Sequence, residues 1–309
     1  MIYTLTLNPA IDLFIETKHL EKNIVNRTNS YDVQANGKGV NVSLVLKMLE
    51  VNNCALGIGG GFTLDYIVDF LKEKGIETDF LRTPGITRIN VFTRVLEPNE
   101  EYKIVNPGPA VDQETLNQLM DKLKEIKSGD YLVISGSFAK GIDPAILTQI
   151  AKLSQTQGFN LIVDTSYQEV TQILDFHPFL LKPDKEELMS WFNLTEEPDI
   201  GGYDDLCQQL IDRGAQRILL SLGSKGALYV DKDHSIYGNA PKGVVVNTAC
   251  SGDTMLGTFI EGLISDKSLG TNLSYSIAAG SSTAFQAGLT DFTDVMDLEK
   301  QITIKHRRG

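Results

Sequence analysis

The spacing of apolar residues along the chain predicts alternating strands and helices. Short apolar runs at residues 2–7 and 131–135 are typical of buried strands, whereas residues 64–74 and 145–157 have apolar residues at helical spacing. Gly75 directly follows the first of these helices and predicts its C-terminal cap. The other predicted strands are residues 54–58, 161–164, 179–181, 217–221 and 243–246, and the other predicted helices are residues 40–49, 169–174, 185–192 and 206–213.

Buried strands that are joined by helices predict an α/β fold with a largely parallel sheet covered on both faces. A hairpin is predicted late in the chain, with strands at residues 227–230 and 235–237 and a turn at residues 231–233. The basic residues 305–308 are predicted to form a solvated tail.

Three segments interrupt this alternation because they are β-like and have no helices between them. They are residues 12–18, 28–36 and 88–105, and the last has the pattern of a hairpin. Strands of this kind usually form a separate small sheet, and one use for such a sheet is a lid over a pocket.

Composition and charge narrow the classes of function. With 42% hydrophobic and 22% charged residues the chain is an ordinary globular protein, and its net charge of −12 argues against nucleic acid as a partner. An anionic ligand would therefore need locally placed cations and backbone N–H groups. The start has no signal-peptide pattern and no apolar stretch reaches membrane-spanning length, so we expect a cytoplasmic protein with no membrane partner.

Cysteine and histidine usage predicts neither a disulfide framework nor a zinc site. The three cysteines, Cys54, Cys207 and Cys250, are far apart and odd in number, and the four histidines are scattered.

The most informative stretch is residues 247–259, NTACSGDTMLGTF, in which a predicted strand runs into a turn of small residues and a helix begins near Ser251. The first N–H groups of a helix have no intrahelical partner and can bind an anion. Asp253 lies in the first turn, where a carboxylate can accept the proton of an attacking hydroxyl group. The alternative is an ordinary helix start, with Ser as N-cap and Asp in the first turn.

Two further strand ends carry candidate polar groups. After the strand at 179–181, Asp184 and Glu187 have the spacing of a capping box, but carboxylates here could also hold Mg²⁺ through water. Residues 221–227, SLGSKGA, turn through two glycines at another strand end, where ligands of open α/β sheets bind.

A nicotinamide site is disfavoured. Residues 57–62, GIGGGF, resemble a dinucleotide fingerprint, but Phe62 occupies the position of the third glycine. The sequence also contains no GxxxxGKS or GxxxxGKT Walker loop.

Candidate sugar-binding groups lie in the first third of the chain. Asp12 follows the first strand, and carboxylates are usual partners of sugar hydroxyl groups. Lys38 and Asn41 lie on a glycine turn that opens a helix, although Lys38 could equally be exposed. Arg88 could clamp a phosphate group, but Arg88 and Arg27 could each be a solvated charge.

Taken in order, these motifs resemble the ribokinase-like (PfkB) carbohydrate kinase family over nearly the whole chain. Within the family, TLNPAID, VNRT, TRINV and NPGP are most similar to the motifs of bacterial 1-phosphofructokinases, with tagatose-6-phosphate kinases as the nearest relatives. The ordered motifs are TLNPAID, NGKGVNVS, the glycines at 57–61, TRINV, NPGPAV, ISGSF, LKPDKEEL, SLGSKGAL, NTACSGD and AAGSSTAF.

This resemblance implies a fold, cofactors and partners. The fold would be a three-layer α/β/α sandwich, in which residues 1–309 form a single kinase domain with a small β-sheet lid that often joins two subunits. ATP and Mg²⁺ would be the cofactors, the partners would be small molecules, and a homodimer would form through the lid.

The resemblance also implies roles for individual residues. Asp253 would be the base, with Gly252, Ser251 and Cys250 around the anion hole. The sugar phosphate would be contacted by Asp12, Gly37, Lys38, Asn41, Arg88, Asn90 and Ser137, and by Arg27 reaching across a dimer. The nucleotide would be bordered by Lys182, Asp184, Glu187, Ser221, Gly223, Gly226, Ser251 and Gly252, with Glu187 holding Mg²⁺ through water.

The predicted reaction is phosphorylation of fructose 1-phosphate at its 6-hydroxyl group, which yields fructose 1,6-bisphosphate. The alternatives are a tagatose 6-phosphate kinase, a 6-phosphofructokinase and a weakly catalytic sugar-phosphate binding protein.

The chain departs from the family pattern at four places. Cys250 and Ser251 stand where the anion hole usually has Gly and Ala, Asp184 stands for Asn, and Asn36 stands for Gly. Residues 138–141, FAKG, replace the preferred Leu-Pro-Pro-Gly.

Overall fold

The computed structural model describes residues 1–308, whose strands form one large and one small sheet. Neighbouring strands of the large sheet are parallel from the edge strand β5 (Glu77–Arg82) to β11 (Arg217–Ser221), and antiparallel from β11 to β14 (Ile304–Arg308). The ten strands lie in this order: β14 (Ile304–Arg308), β13 (Ser235–Gly238), β12 (Ala227–Asp231), β11 (Arg217–Ser221), β10 (Leu180–Leu181), β9 (Asn160–Asp164), β8 (Tyr131–Ser135), β1 (Ile2–Thr6), β4 (Asn53–Gly59) and β5 (Glu77–Arg82).

Helices cover both faces of the large sheet, so the predicted three-layer α/β/α architecture is confirmed. Along β8, Leu132 and Ile134 pack into the core on one face and Val133 packs into the core on the other. One helical layer contains α1 (Lys38–Met48), α2 (Gly61–Glu73), α7 (Ser251–Ile264) and α8 (Leu269–Ala284), with α9 (Val295–Glu299) against α8, and the other contains α3 (Gln113–Leu123), α4 (Ile146–Gln157), α5 (Lys185–Trp191) and α6 (Ile200–Asp212).

The three segments that interrupt the alternation form the small sheet. Its strands are β3 (Ser30–Asn36), β2 (Ala10–Thr17), β6 (Arg88–Val95) and β7 (Glu100–Ile104), in that order. Strand β2 continues from β1 through three residues, so the start of the small sheet lies at the carboxyl edge of the large one. The register places Asp12 beside Asn90 on one face, and the rings of Phe14 and Phe92 stack on the same face at 5.1 Å.

Most predicted elements are confirmed, but two have a different structure. Residues 168–176 form two 3-10 turns rather than an α-helix, because the segment spans little more than two turns before His177 enters the left-handed region ahead of Pro178. The predicted strand at 243–246 is wrong: Val244 is 82% exposed, and the N–H of Val246 bonds to Ala284 O at 2.9 Å.

The C-terminal segment explains that second difference. Residues 305–308 are not a solvated tail, because they lie in β14, which pairs with β13 and occupies the sheet edge. The guanidinium groups of Arg307 and Arg308 bind the two carboxylate oxygens of the buried Asp204 at 3.2 and 2.8 Å. Strand β13 therefore has no free edge at which the run of valines could pair.

In the part of the chain that the structure describes, no helix has both the length and the apolar character needed to cross a bilayer.

Candidate active site

The candidate side chains meet at the carboxyl ends of the parallel strands. Asp164 is the last residue of β9, Lys182 follows β10, and Ser221 ends β11. The start of α7 and the first residues of the small sheet face the same edge. Ligands of open α/β sheets bind at this edge. The predicted site therefore lies where ligands of such a sheet usually bind.

The start of α7 has the backbone groups of an anion site. Cys250 precedes the helix with φ 64° and ψ −5°, and no side chain of the described residues caps the helix start. The first helical hydrogen bond runs from Thr254 N to Cys250 O at 2.9 Å, so the N–H groups of Gly252 and Asp253 have no partner within the helix. A Cβ atom on Gly252 would lie 3.3 Å from Lys182 Nζ, which puts an ammonium group beside these amides.

Asp253 is a buried carboxylate with one close side-chain donor. It is 4% exposed, and Asn41 Nδ2 donates to its Oδ2 at 2.8 Å. Burial, reinforced by the negative charge of Asp164, raises the pKa of Asp253 to about 6, although Lys38 and Asn41 oppose the shift. A carboxylate with this pKa is ionised at neutral pH and can accept a proton.

A buried ion-pair cluster lies beside the helix start. The Nζ atoms of Lys182 and Lys38 lie 3.1 and 3.2 Å from the same oxygen of Asp164, whose side chain is fully buried. Burial alone would raise the pKa of Asp164, but Lys182 and Lys38 outweigh it and hold the pKa below its ordinary value. The two ammonium groups balance the negative charges of Asp164 and Asp253, and Lys182 lies beside the unpaired amides of α7.

Asp12 is the centre of the sugar end of the site. It is 7% exposed, and its two oxygens accept hydrogen bonds from Asn90 at 2.8 Å and from Asn36 at 2.7 Å. Burial raises the pKa of Asp12, while the two amides and Arg88 oppose that effect. The carboxylate is therefore held in one orientation before any ligand arrives.

The glycine turn before α1 needs its glycine. Gly37 has φ 135°, and a Cβ atom there would lie 2.8 Å from the Thr6 methyl carbon. The same turn brings Lys38 to Asp164 and Asn41 to Asp253. The predicted residues of this motif are thus brought together.

Arg88 is positioned by backbone carbonyl groups. Its guanidinium group donates to Asn8 O at 3.0 Å and to Asn106 O at 3.4 Å, and its buried Nε has no protein partner within residues 1–308. Burial lowers the pKa of Arg88, and Asp12 opposes the shift. Ser137 Oγ lies at the same end of the site and accepts from Asn8 Nδ2 at 3.4 Å.

Arg27 is the one predicted substrate residue that this subunit does not bring to the cluster. It is exposed, and its carbonyl group accepts from Thr17 at the far end of β2, five residues from Asp12. Five residues of extended strand span about 16 Å. Contact with a second subunit's site therefore stays a prediction.

At the nucleotide end, the capping alternative is what the structure contains. Glu187 N donates to Asp184 Oδ1 at 2.8 Å, and Asp184 N donates to Glu187 Oε2 at 2.9 Å. Burial raises the pKa of Glu187. Its second carboxylate oxygen lies outside the capping box, so Glu187 could still contact a metal ion through water.

The glycine turn after β11 is shaped by Gly226. Its φ is 99°, and a Cβ atom there would lie 2.0 Å from Gly238 O. Gly223, with φ 56°, is exposed with open space around its Cα. Ser221 is joined to Asp184 by a parallel bridge, which sets these two nucleotide-end segments side by side.

Two residues of the site were absent from the predicted set. Asp164 had a usable signal, because it is a carboxylate at the end of a predicted buried strand. The sequence marks Asn36 only as a turn residue that replaces glycine, and sequence spacing carries no information about its contacts with Asp12 and Asn41.

The chain is similar to known proteins over nearly its whole length. The family model described as pfkB family carbohydrate kinase matches residues 5–295. The chain is 41% identical over 310 residues to a D-tagatose-1-phosphate kinase of Bacillus licheniformis (99% of this chain, 100% of the relative) and 32% identical to a 1-phosphofructokinase of Bacillus subtilis (98% and 99%). The structure of Escherichia coli phosphofructokinase-2 with substrates and products superimposes with a TM-score of 0.89 at 29% identity, covering 97% of this chain and 98% of that one.

Proposed function

This chain belongs to the pfkB family of carbohydrate kinases, and from that premise we propose that it transfers the γ-phosphoryl group of ATP to the 6-hydroxyl group of a ketohexose 1-phosphate. The observation that carries the proposal is the start of α7. There a buried carboxylate with a pKa of about 6 lies next to unpaired backbone amides and beside Lys182.

The site residues divide the work of the transfer. The acceptor hydroxyl group would lie between Asp12 and Asp253, and Asp253 would take its proton as the new O–P bond forms. The N–H groups of Gly252 and Asp253, together with Lys182, would stabilise the charge on the phosphoryl oxygens. The bond from the γ-phosphorus atom to the bridging oxygen breaks, and ADP leaves with that oxygen.

Mg²⁺ fits this site as a companion of ATP rather than as a tightly held ion. Within residues 1–308, no group of three or more His, Cys, Asp or Glu side chains is arranged to hold a metal. Glu187 would contact the ion through water, and the bound ion would neutralise charge on the ATP oxygens.

The phosphate already on the substrate would bind near Arg88 and Ser137. A charge-assisted hydrogen bond contributes about 1.5–3 kcal/mol, so two such bonds would outweigh any single hydroxyl contact. A sugar phosphate should therefore react faster than the free sugar by orders of magnitude in kcat/KM.

Two substrates of this class are candidates, and they differ only in configuration at carbon 4. Fructose 1-phosphate is the substrate that the sequence motifs predict, and it stays a prediction. D-tagatose 1-phosphate is the second candidate, because two relatives named for it share 41% and 35% of their residues with this chain.

One assay panel tests the proposal. Formation of ADP is measured with fructose 1-phosphate, tagatose 1-phosphate, fructose 6-phosphate, tagatose 6-phosphate and free fructose. We expect the highest kcat/KM for a 1-phosphate. Preference for a 6-phosphate would contradict the assignment of the phosphate position, and comparable turnover of free fructose would contradict the role of Arg88. Thermal stabilisation by a sugar phosphate without ADP formation would instead favour a binding protein.

A homodimer through the small sheet remains part of the proposal. The outer face of that sheet exposes Tyr31, Tyr102 and Ile104 (72%, 45% and 57% exposed), which lie on the same face. Exposed apolar faces of this kind often mark protein interfaces. Light scattering should give twice the mass of one chain, and Tyr31→Lys should lower it. A monomer at assay concentration would contradict the proposal.

A further inference from the structure

Asn36 joins the two ends of the site through its side-chain amide group. It is the last residue of β3, and its Nδ2 donates to Asp12 Oδ2 at 2.7 Å. Its Oδ1 accepts from Gly37 N at 2.6 Å and from Asn41 Nδ2 at 3.0 Å. Both the donor and the acceptor of this amide are therefore in use.

These contacts form one continuous chain of hydrogen bonds. Asn90 and Asn36 donate to Asp12, Asn41 donates to Asn36, and the same Asn41 amide nitrogen donates to Asp253. Asp12, Asn41 and Asp253 are 7%, 3% and 4% exposed. Hydrogen bonds in such a buried network orient one another strongly because little water competes for them.

We infer that Asn36 is a positioning residue for phosphoryl transfer, which holds Asp12 towards the sugar and Asn41 towards Asp253. This inference rests on the proposed function for its effect on turnover. The glycine that the family pattern has at this position has no side chain and could make neither contact. Asn36 therefore couples the group that binds the sugar to the group that removes its proton.

The physical route of this coupling is the orientation of Asn41. Without the Oδ1 acceptor of Asn36, the Asn41 amide is free to rotate towards Cys250 Sγ, which already lies 3.2 Å from Asn41 Nδ2. Asp253 would then lose a hydrogen bond to its charged form, and its pKa would rise. The rate would fall because less of the base is ionised and because Asp12 is less well oriented.

Several other charged groups also face Asp253, but within the described residues none of Lys38, Asp164 and Lys182 is hydrogen-bonded to Asn36. Lys38 approaches it from α1, Asp164 from β9 and Lys182 from the segment after β10, while the Cys250 thiol lies at the helix start. Asp12 and Glu187 are further carboxylates of the site, and they face Cys250 and Lys38 respectively. A change in the titration of Asp253 after substitution of Asn36 would therefore report the Asn41 contact.

The test compares Asn36→Ala with the wild-type protein over pH 5 to 8. We expect kcat/KM for the sugar phosphate to fall about tenfold, the effect of losing roughly one hydrogen bond, while KM for ATP changes less than about twofold. We also expect a shift in the acid limb of the pH–rate profile, which is the range below neutral pH where kcat/KM falls. The limb should move to higher pH by about half a unit or more. Asn160→Ala, the same change at the opposite end of β9 from Asp164, is the matched control. If Asn36→Ala does not fold, Asn36→Ser replaces it, since its shorter side chain cannot reach both partners.

A double-mutant cycle tests whether Asn36 acts through Asn41. Asn41→Ala should itself move the acid limb upward, and adding Asn36→Ala to it should give no further movement. A slower Asn36→Ala enzyme with an unmoved acid limb would indicate a merely structural role and would overturn the inference. Additive shifts in the double variant would overturn it too.

A titration without substrate separates this inference from the proposed function. Carbon-13 NMR of labelled aspartate carboxyl groups gives the pKa of Asp253 in the wild type and in Asn36→Ala. The Asp253 signal is identified by its absence from the spectrum of Asp253→Asn. A higher value in Asn36→Ala supports the positioning role even if no sugar phosphate is turned over, a result that would refute only the kinase proposal. An equal value overturns the positioning role whatever the kinase activity is.

Discussion

Asn41 donates its side-chain amide to Asp253 Oδ2 over 2.8 Å, and both side chains are almost completely shielded from water. The two residues are 212 positions apart, on α1 and α7. Because the donor lies in the first turn of α1, the carboxylate is held towards α1 and is not bonded to the amides at the start of its own helix. A base that is already oriented when the substrate binds does not have to be ordered during the reaction, so the free energy of ordering it does not add to the barrier.

Asp253→Asn should abolish most of the turnover while leaving ATP binding intact. Loss of a general base typically lowers kcat by about 10²–10⁴-fold. The new amide can still lie at the helix start, so the unpaired N–H groups remain available. ADP formation gives kcat, and calorimetry gives the Kd of ATP. Asp297→Asn, in an exposed position on α9, is the matched control. Turnover within tenfold of the wild type would remove Asp253 from the role of base.

The rate should depend on the ionisation of Asp253. Burial and the charge of Asp164 raise its pKa to about 6, and only the ionised carboxylate can accept a proton. We therefore expect kcat/KM to be level above about pH 6 and to fall roughly tenfold per pH unit below it. Initial rates across pH 4.5 to 8, with the ionic strength held constant, measure the limb. If kcat/KM instead began to fall only near pH 4, burial would not raise the pKa of Asp253.

The same raised pKa predicts a cost in stability at neutral pH. Because the pKa of Asp253 in the folded protein lies above its ordinary value of 3.8, its contribution to stability is complete below about pH 4 and is lost as the pH rises through about 6. Asp253→Asn should therefore have a higher Tm than the wild type at pH 8 and a similar Tm at pH 4. Calorimetric scans at the two pH values check this, and an equal difference at both would contradict it.

Asp164 should be needed for stability rather than only for chemistry. It holds the buried Lys182 and the half-buried Lys38, so Asp164→Asn leaves a buried ammonium group without its counter-charge. Breaking a buried ion pair in this way costs about 3–5 kcal/mol. Adding Lys182→Met should restore part of that free energy of unfolding. Urea denaturation measures both variants, and a loss below about 1 kcal/mol for Asp164→Asn would contradict the account.

The protein should be more stable with glycine than with alanine at position 250. Its φ of 64° is left-handed, a conformation that costs a residue with a Cβ atom about 1–2 kcal/mol. Both substitutions remove the contact between Asn41 and the thiol, so their difference isolates the backbone. Glycine loses more entropy on folding than alanine, which offsets part of this gain. The free energy of unfolding of Cys250→Gly should therefore exceed that of Cys250→Ala by about 1 kcal/mol. Equal values from denaturation would show that the helix start carries no such strain.

Several features of the fold could be predicted from local pattern. The strands at 131–135 and 217–221 have the predicted bounds, because a run of buried β-branched and apolar residues between polar ends specifies a strand without reference to its neighbours. The glycine turn at Gly37 and the start of α7 near Ser251 were likewise found, since turns and helix starts depend on residues close in sequence.

The structure of residues 243–246 could not be predicted from local pattern. Residues 243–246 have a strand-like composition, but they lie in a loop because β14 occupies the only edge beside β13. That outcome depends on a competition between two distant segments, and neither segment contains information about it alone.

The sequence by itself determined most of the elements and the chemical groups at their ends: the carboxylate of Asp253, the cation of Lys38 and the glycines that turn the chain. Only the tertiary structure decided which of these groups meet. Asp164 became the common partner of two lysines, and Asn36 became the link between Asp12 and Asp253. The reason is physical: helix and turn formation is governed by neighbours within a few residues, whereas burial, pKa and hydrogen-bond partners depend on chain segments that folding brings together.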